Sequence, residues 1–141
     1  VRLVSAVVAR YMAVKALIRS MPLTGRAIYR FFRDSDGAGV DALVLSLADH
    51  LAMGVSAESQ RQLLELINVM LDHYFRRPHE AVAPPSLVTG NDVMTLLDLR
   101  PGPRVGQLLE AVREAQAAGE ITSREEALAY IRRQLLAGTR K

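Results

Sequence analysis

The chain has 141 residues, 50% hydrophobic and 23% charged, with a formal net charge of +3 and neither cysteine nor tryptophan. This composition is too apolar for a disordered chain, and the absence of cysteine excludes disulfides, thiolate catalysis and cysteine-ligated zinc. No run of about 18 uncharged apolar residues occurs, so the sequence excludes a membrane span, and the length suits one domain or two small helical subdomains.

Apolar residues recur at the helical period along almost the whole chain, and no segment alternates as a strand would. The sequence therefore predicts an all-α protein, with a helical bundle over 1–77, a proline-rich connection over 78–89 and a smaller helical tail over 90–141. The helix over 40–53 is apolar nearly all round, which is typical of a buried central helix. The predicted helices are 2–19, 25–34, 40–53, 57–75, 90–99, 103–118 and 123–136.

Hydroxyl residues suited to N-capping mark the starts of four helices, namely Thr24, Ser56, Thr89 and Thr122. Thr89 with Asp92, and Thr122 with Glu125, have the spacing of a capping box. Gly119 follows the helix over 103–118 and is expected to supply its left-handed C-cap. These local signals predict where the helices begin and end.

The sequence shows no convincing active site. Its three histidines, His50, His73 and His79, include no pair at a helical metal-ligand spacing such as four residues. Asp49 has two interpretations, a metal ligand or general base, or a buried carboxylate bonded to an arginine. The second is favoured because a site needs several converging groups. No P-loop, nucleophile elbow or dinucleotide fingerprint is present.

Positive charge is concentrated at the start of the chain. Residues 1–33 hold seven basic side chains and no acidic one, whereas residues 34–141 hold 11 basic and 15 acidic ones. Sixteen of the 18 basic residues are arginine, whose planar guanidinium favours bidentate contacts to phosphate or carboxylate. The distribution predicts one basic end that faces a polyanion.

Arg26, Arg30 and Arg33 stand at i, i+4 and i+7, so a helix would place them along one face, here called the arginine stripe. Such a stripe suits successive phosphates of a nucleic-acid backbone. Three aromatic residues interleave with it, on the side expected to dock into the bundle: Tyr29, Phe31 and Phe32. The alternative is a solvated face with local ion pairs to Asp34, Asp36 or Asp41.

A glycine-bearing turn, Pro101–Gly106, precedes the helix over 103–118 and is a second candidate binding site. Gly102 and Gly106 permit close approach to the backbone, the start of the helix offers unpaired amides, and Arg104 adds positive charge. The alternative is a tight corner in which glycine only lets two helices pack. Two further arginines are weaker candidates for RNA contacts, Arg132 and Arg133.

Four stretches resemble a known family: Leu23–Asp34, Leu45–His50, Pro84–Gly90 and Pro101–Ala127. Together they resemble the C-terminal half of bacterial tRNA nucleotidyltransferase and poly(A) polymerase family proteins that carry an HD-type domain. The resemblance implies a cytoplasmic parent enzyme that adds nucleotides to RNA 3′ ends. It also implies that Mg²⁺ and nucleoside triphosphate bind an N-terminal head, and that the 141 residues are a fragment without a cofactor of their own.

Within this resemblance Asp49 matches the last aspartate of the HD metal-ligand set. Arg10 and Tyr11 stand where a histidine region of that set aligns, and the earlier ligands fall outside the chain, so the resemblance implies no metal site here. The function it implies is a noncatalytic module that holds tRNA or other RNA and is joined to the N-terminal head. The alternatives are a degenerate HD-type metal-dependent phosphohydrolase fragment, and a helical spacer or homodimerisation domain.

Overall fold

The computed structural model describes residues 2–138, and these residues form helices and no strand, which confirms the all-α fold class. None of the helices in this range has the length and apolar character needed to cross a membrane. The elements are α1 Arg2–Ile18, α2 Gly25–Arg33, α3 Gly39–Ala52, α4 Ala57–Phe75, α5 Pro78–Ala81, α6 Gly90–Leu97, α7 Pro103–Ala117 and α8 Arg124–Gly138.

The chain divides between Ala83 and Pro84 into two compact units. The sequence assigned residues 78–89 to a connection, whereas the structure forms the short helix α5 there and includes it in the first unit. The physical reason is packing, because α5 contacts both α2 and α4 and the side chain of Ala81 is buried. The second unit therefore begins at the proline pair that follows α5 rather than at residue 90.

The core of the first unit is built around the aromatic side chains of α2. The Phe31 and Phe32 rings meet edge to face with centroids 5.2 Å apart, and the Phe32 ring lies 4.9 Å from that of Tyr74 on α4. Thr24 caps α2 as predicted, since its Oγ1 accepts a hydrogen bond from the Ala27 amide at 3.2 Å. The cap and the aromatic core together set the orientation of α2.

Helix α3 is not the fully buried central helix that its composition predicts. One side of α3 is buried, with Leu43 fully covered, but Val44, Leu45 and Leu51 are 58%, 41% and 59% exposed. The main packing partners of α3 in the described part of the chain are α1 and α4, which cover only part of its circumference. The prediction is therefore wrong for the outer face of α3, which is apolar and open.

In the second unit α6, α7 and α8 pack around one apolar cluster: Val88, Val93, Val105, Leu108, Val112, Ala115, Ile121, Ala127 and Ile131. The capping box at α6 is confirmed, because the Thr89 amide donates to Asp92 Oδ2 at 2.7 Å and the Asp92 amide to Thr89 Oγ1 at 3.3 Å. Gly119 has φ of 73°, which confirms the left-handed end of α7.

The second capping box is displaced by one residue from its predicted position. Ser123 rather than Thr122 caps α8, since the Glu126 amide donates to Ser123 Oγ at 3.2 Å. The Glu126 carboxylate in turn accepts from the amides of Thr122 and Ser123 at 2.7 and 3.2 Å. Because the Glu126 carboxylate reaches both amides, Glu126 fills the role in the capping box that spacing predicts for Glu125.

These two caps make the second unit sensitive to acid. Backbone hydrogen bonds from Thr89 lower the pKa of Asp92 below its ordinary 3.8, and those from Thr122 and Ser123 lower the pKa of Glu126 below 4.5. A carboxylate whose pKa is lowered on folding stabilises the fold at pH values above its ordinary pKa. This stability is lost as pH falls through the pKa of the folded state. We expect thermal melts to be flat in pH above about 5 and to fall below about 4, and Asp92→Asn to reduce the decline. An equal decline in that variant would contradict the assignment.

Candidate functional site

The amphipathic helix α2 presents the arginine stripe. Arg30 and Arg33 are exposed and Arg26 is half-buried, whereas Ile28 and the three aromatic residues of the helix lie in the core. The expectation that the aromatic side docks into the bundle is therefore confirmed. Since these rings are buried, α2 offers guanidinium groups to a ligand and no aromatic surface on which bases stack.

Acidic and aromatic neighbours hold part of the stripe in place. Arg33 Nε donates to Asp34 Oδ1 at 2.6 Å, and the Arg33 guanidinium lies 5.7 Å from the centroid of the Tyr29 ring. Arg10 Nη1 of α1 is 4.0 Å from Asp34 Oδ2. The alternative of local ion pairing thus applies to Arg33, whose charge Asp34 partly neutralises.

The structure adds Arg10 to this surface. Arg10 and Arg30 flank a groove of about 310 Å³ between α1 and α2, with Asp34 beside them. The apolar floor of the groove is lined by Ala13, Ala16, Leu17, Ala27 and Phe31. Sequence spacing does not connect Arg10 with Arg30, because the two residues lie on different helices. The only signal in the sequence is the excess of basic residues over 1–33.

The glycine turn before α7 is open to solvent. Gly102 is the N-cap residue and has φ of 173°, an extended backbone that any residue adopts. A Cβ built on Gly102 meets nothing closer than the Arg100 carbonyl oxygen at 3.9 Å, and one built on Gly106 has no described atom within 4 Å. Neither glycine makes room for a neighbouring helix, so the packing alternative is not supported.

The remaining candidates of the second unit are also at its surface. Arg104 is exposed beside the turn, while the next residue, Val105, is 7% exposed and anchors the start of α7 in the core. Arg132 and Arg133 are exposed on α8, and the Arg133 guanidinium lies 6.0 Å from the centroid of the Tyr130 ring. The turn is thus a fixed, accessible backbone with arginine at its edge.

Among the described residues Asp49 bonds to no arginine, although the favoured interpretation supposed one. Its Oδ2 accepts a hydrogen bond from the Tyr11 hydroxyl of α1, and Lys15 Nζ lies 4.7 Å from the centroid of the Tyr11 ring. A hydrogen bond between Lys15 and Tyr11 raises the pKa of Lys15, and the negative charge of Asp49 acts in the same direction. A tyrosine donor and a lysine therefore occupy the surroundings of this carboxylate.

This arrangement does not fit the divalent metal of an HD-type site. Such an ion needs several carboxylate or imidazole ligands, and within residues 2–138 no three such side chains are grouped to hold one. Asp49 Oδ2 already accepts a hydrogen bond from the Tyr11 hydroxyl, and the neighbouring Lys15 supplies positive charge. The surroundings of Asp49 in this chain therefore do not support phosphoester hydrolysis at this site.

The chain is similar to curated tRNA nucleotidyltransferases. It is 35% identical over 120 residues to an A-adding enzyme of Deinococcus radiodurans, which is 85% of this chain and 28% of that relative. It is 37% identical to a CC-adding enzyme of Thermus thermophilus, over 79% of this chain and 24% of that relative. It is 34% identical to a CC-adding enzyme of Geobacter sulfurreducens, over 78% of this chain and 23% of that relative. The chain spans about a quarter of the length of these relatives. No protein-family model and no solved structure matches it.

Proposed function

Because this chain is homologous to the C-terminal part of the tRNA nucleotidyltransferases, we propose that it is a noncatalytic module that holds tRNA for a longer enzyme. The relatives are named for adding A in one case and CC in two others, at 34% to 37% identity. A segment that resembles both kinds about equally does not choose the nucleotide. Nucleotide choice and transfer, with Mg²⁺ and nucleoside triphosphate, then belong to the rest of the longer enzyme.

The observation that carries the proposal is the glycine turn at the start of α7. Glycine inside a helix costs about 0.5–1 kcal/mol relative to alanine, yet nothing in the described structure requires glycine at residue 106. A ligand that approaches the backbone closely does require a residue without a Cβ. A phosphate fits this position, because the positive end of the α7 dipole lies there and the Arg104 side chain is exposed beside it.

The arginine stripe supplies the second contact surface of the proposal. Its guanidinium groups suit the phosphates of a folded RNA, which proteins read largely by backbone and shape rather than by base edges. The apolar side of α2 is buried in the core, so the helix offers no aromatic ring to the bases, which agrees with recognition through the backbone. The module would then bind different tRNAs alike.

The direct test is fluorescence anisotropy of labelled tRNA with this chain across a salt series, with duplex DNA as competitor. We expect binding that weakens steeply with salt, because displaced counterions drive it, and a preference for tRNA over the duplex. Absence of binding at low salt would contradict the proposal and favour a structural role for the chain, such as that of a helical spacer. Equal competition by duplex DNA would reduce the interaction to general polyanion binding.

Gly106→Ala is expected to separate stability from binding. The added methyl enters open space and removes the entropic cost of glycine, so the free energy of unfolding of the second unit rises by about 0.5–1 kcal/mol. The same methyl stands where the RNA backbone would approach, so tRNA binding weakens several-fold. Chemical denaturation measures the change in stability, and anisotropy measures the change in tRNA binding.

Thr95→Ala, at an exposed site on α6, is the control and leaves binding unchanged. Tighter or unaltered tRNA binding by Gly106→Ala would argue against the turn as a contact.

A further inference from the structure

The groove between α1 and α2 combines an apolar floor with positively charged walls. Arg10 stands on the α1 side of the groove and Arg30 on the α2 side. Small-ligand sites in proteins are concave and mostly apolar, with a few polar groups placed around the ligand, and this groove has that composition. Its floor consists of five apolar residues: Ala13, Ala16, Leu17, Ala27 and Phe31.

The walls of the groove carry more positive than negative charge. Asp34 lines the groove, and its Oδ1 accepts a hydrogen bond from Arg33 Nε at 2.6 Å. Arg10 Nη1 lies 4.0 Å from the other carboxylate oxygen, and Arg30 lines the same groove. Among the described residues, three arginines and one carboxylate therefore share this part of the surface. An anionic ligand is attracted to such a surface.

A ligand that fits both the floor and the walls has a planar apolar group and an anionic group. A phosphate alone would leave the apolar floor exposed to water. An apolar helix laid along the groove would cover the arginines of the walls, and burial of a charge is costly unless it is paired. A nucleotide offers a base to the floor and a phosphate to the guanidinium groups, with which arginine forms bidentate hydrogen bonds.

We propose that the groove takes one unpaired nucleotide of the bound RNA, with its base against the floor and its phosphate on Arg10 or Arg30. Arg30 belongs to both the arginine stripe and the groove wall, so a backbone held by the stripe passes the mouth of the groove. This inference rests on the proposed RNA-holding function, to which it adds a contact with a base.

The size of the groove favours an unpaired nucleotide over a base pair. Its volume of about 310 Å³ is at the lower end of the range for small-ligand sites, which suits a single nucleotide. Bases of single-stranded loops, bulges and ends are unstacked, so a protein can bind them outside a duplex. The expected ligand is therefore a single-stranded nucleotide rather than a helical stem.

The alanine methyl groups of the floor report directly on a base in the groove. A base whose face lies against a methyl group shifts the methyl proton resonance upfield through its ring current, and a phosphate does not. With alanine methyls labelled by ¹³C, we expect a short single-stranded oligoadenylate to shift Ala13, Ala16 and Ala27 more than Ala9. Ala9 is the internal control, because it is exposed on α1 outside the groove. A short blunt-ended RNA duplex is expected to leave all four resonances in place.

Ala16→Leu narrows the groove without changing its charge. Ala16 is exposed at the edge of the floor, so the larger side chain does not disturb the core. We expect the affinity for tRNA to fall several-fold, while the slope of log K against log salt stays the same because no phosphate contact is lost. Ala9→Leu is the matched control on the same helix and leaves both quantities unchanged.

Three results would overturn the proposal. Binding of tRNA without a shift of the three floor methyls would remove the base from the groove and leave the RNA-holding function intact. Equal shifts with the RNA duplex would show that no unpaired base is needed. Shifts that grow with protein concentration in the absence of RNA would identify a second copy as the occupant. Absence of tRNA binding at low salt, in contrast, would contradict the RNA-holding function itself and this inference with it.

Discussion

Reversing the charge of Arg26 and Arg30 together lowers the affinity of this chain for tRNA by about tenfold or more at low salt. Each guanidinium that contacts a phosphate releases counterions, so the loss of two contacts also reduces the slope of log K against log salt by about 1.4–1.8. Anisotropy titrations at four or five salt concentrations measure both quantities. The change in slope is the more specific result, because it counts phosphate contacts rather than overall affinity.

The matched control reverses two arginines elsewhere in the first unit. Arg61 lies on α4 and Arg76 is the C-cap residue of that helix, with side chains 76% and 84% exposed. Arg61→Glu with Arg76→Glu alters the net charge by the same amount as the stripe variant. We expect this control to keep the salt slope. Since Arg26 is half-buried, the single variant Arg30→Glu and a circular dichroism spectrum check that the fold is intact. Equal losses in the control and the stripe variant would show that only net charge matters.

Gly39→Ala destabilises the first unit by about 1–3 kcal/mol, the cost of overpacking a close-packed core. A Cβ at this position lies 2.8 Å from Phe32 Cδ1, closer than real Cβ contacts come, and 3.0 Å from Phe32 Cε1, tighter than most of them. The Phe32 ring has little freedom to move, because it packs against Phe31 and Tyr74. Either the ring or the start of α3 must shift to admit the methyl group.

Thermal or chemical denaturation measures this loss, which for a unit of this size corresponds to a Tm lower by about 4–8 °C per kcal/mol. Gly106→Ala is the natural comparison, since the same substitution meets no described atom there and is expected to stabilise. Because Phe32 lies on the helix that bears the arginine stripe, Gly39→Ala also weakens tRNA binding by disturbing α2. A Tm equal to that of the unaltered chain would show that the core accommodates the methyl group.

The positions of the helices could be predicted because their signals are local. The cap at Thr24, the capping box at Thr89 and the left-handed Gly119 each act on amides within a few residues, so spacing alone identifies them. The box before α8 shows the limit of this reasoning. Thr122 with Glu125 and Ser123 with Glu126 both satisfy the spacing rule, and the packed structure selects the second pair.

The candidate site could be predicted only in part. The arginine stripe follows from the helical repeat, so spacing along the chain is enough to identify its three residues. Spacing does not identify Arg10, which lines the same groove as Arg30 from another helix. The two glycines of the turn are recognisable as a motif, but their interpretation required the structure, which shows that no neighbouring helix needs the space.

Helical period, capping and charge are properties of neighbouring residues, so they were enough to predict the all-α class, the order of the main helices and the concentration of positive charge at one end. Which apolar surfaces are covered depends instead on how the helices pack. The outer face of α3 carries large apolar residues, as its inner face does, and burial depends on which other elements lie against it. The partner of Asp49 was decided in the same way, since Tyr11 stands 38 residues away in the chain and reaches it only when α1 packs on α3.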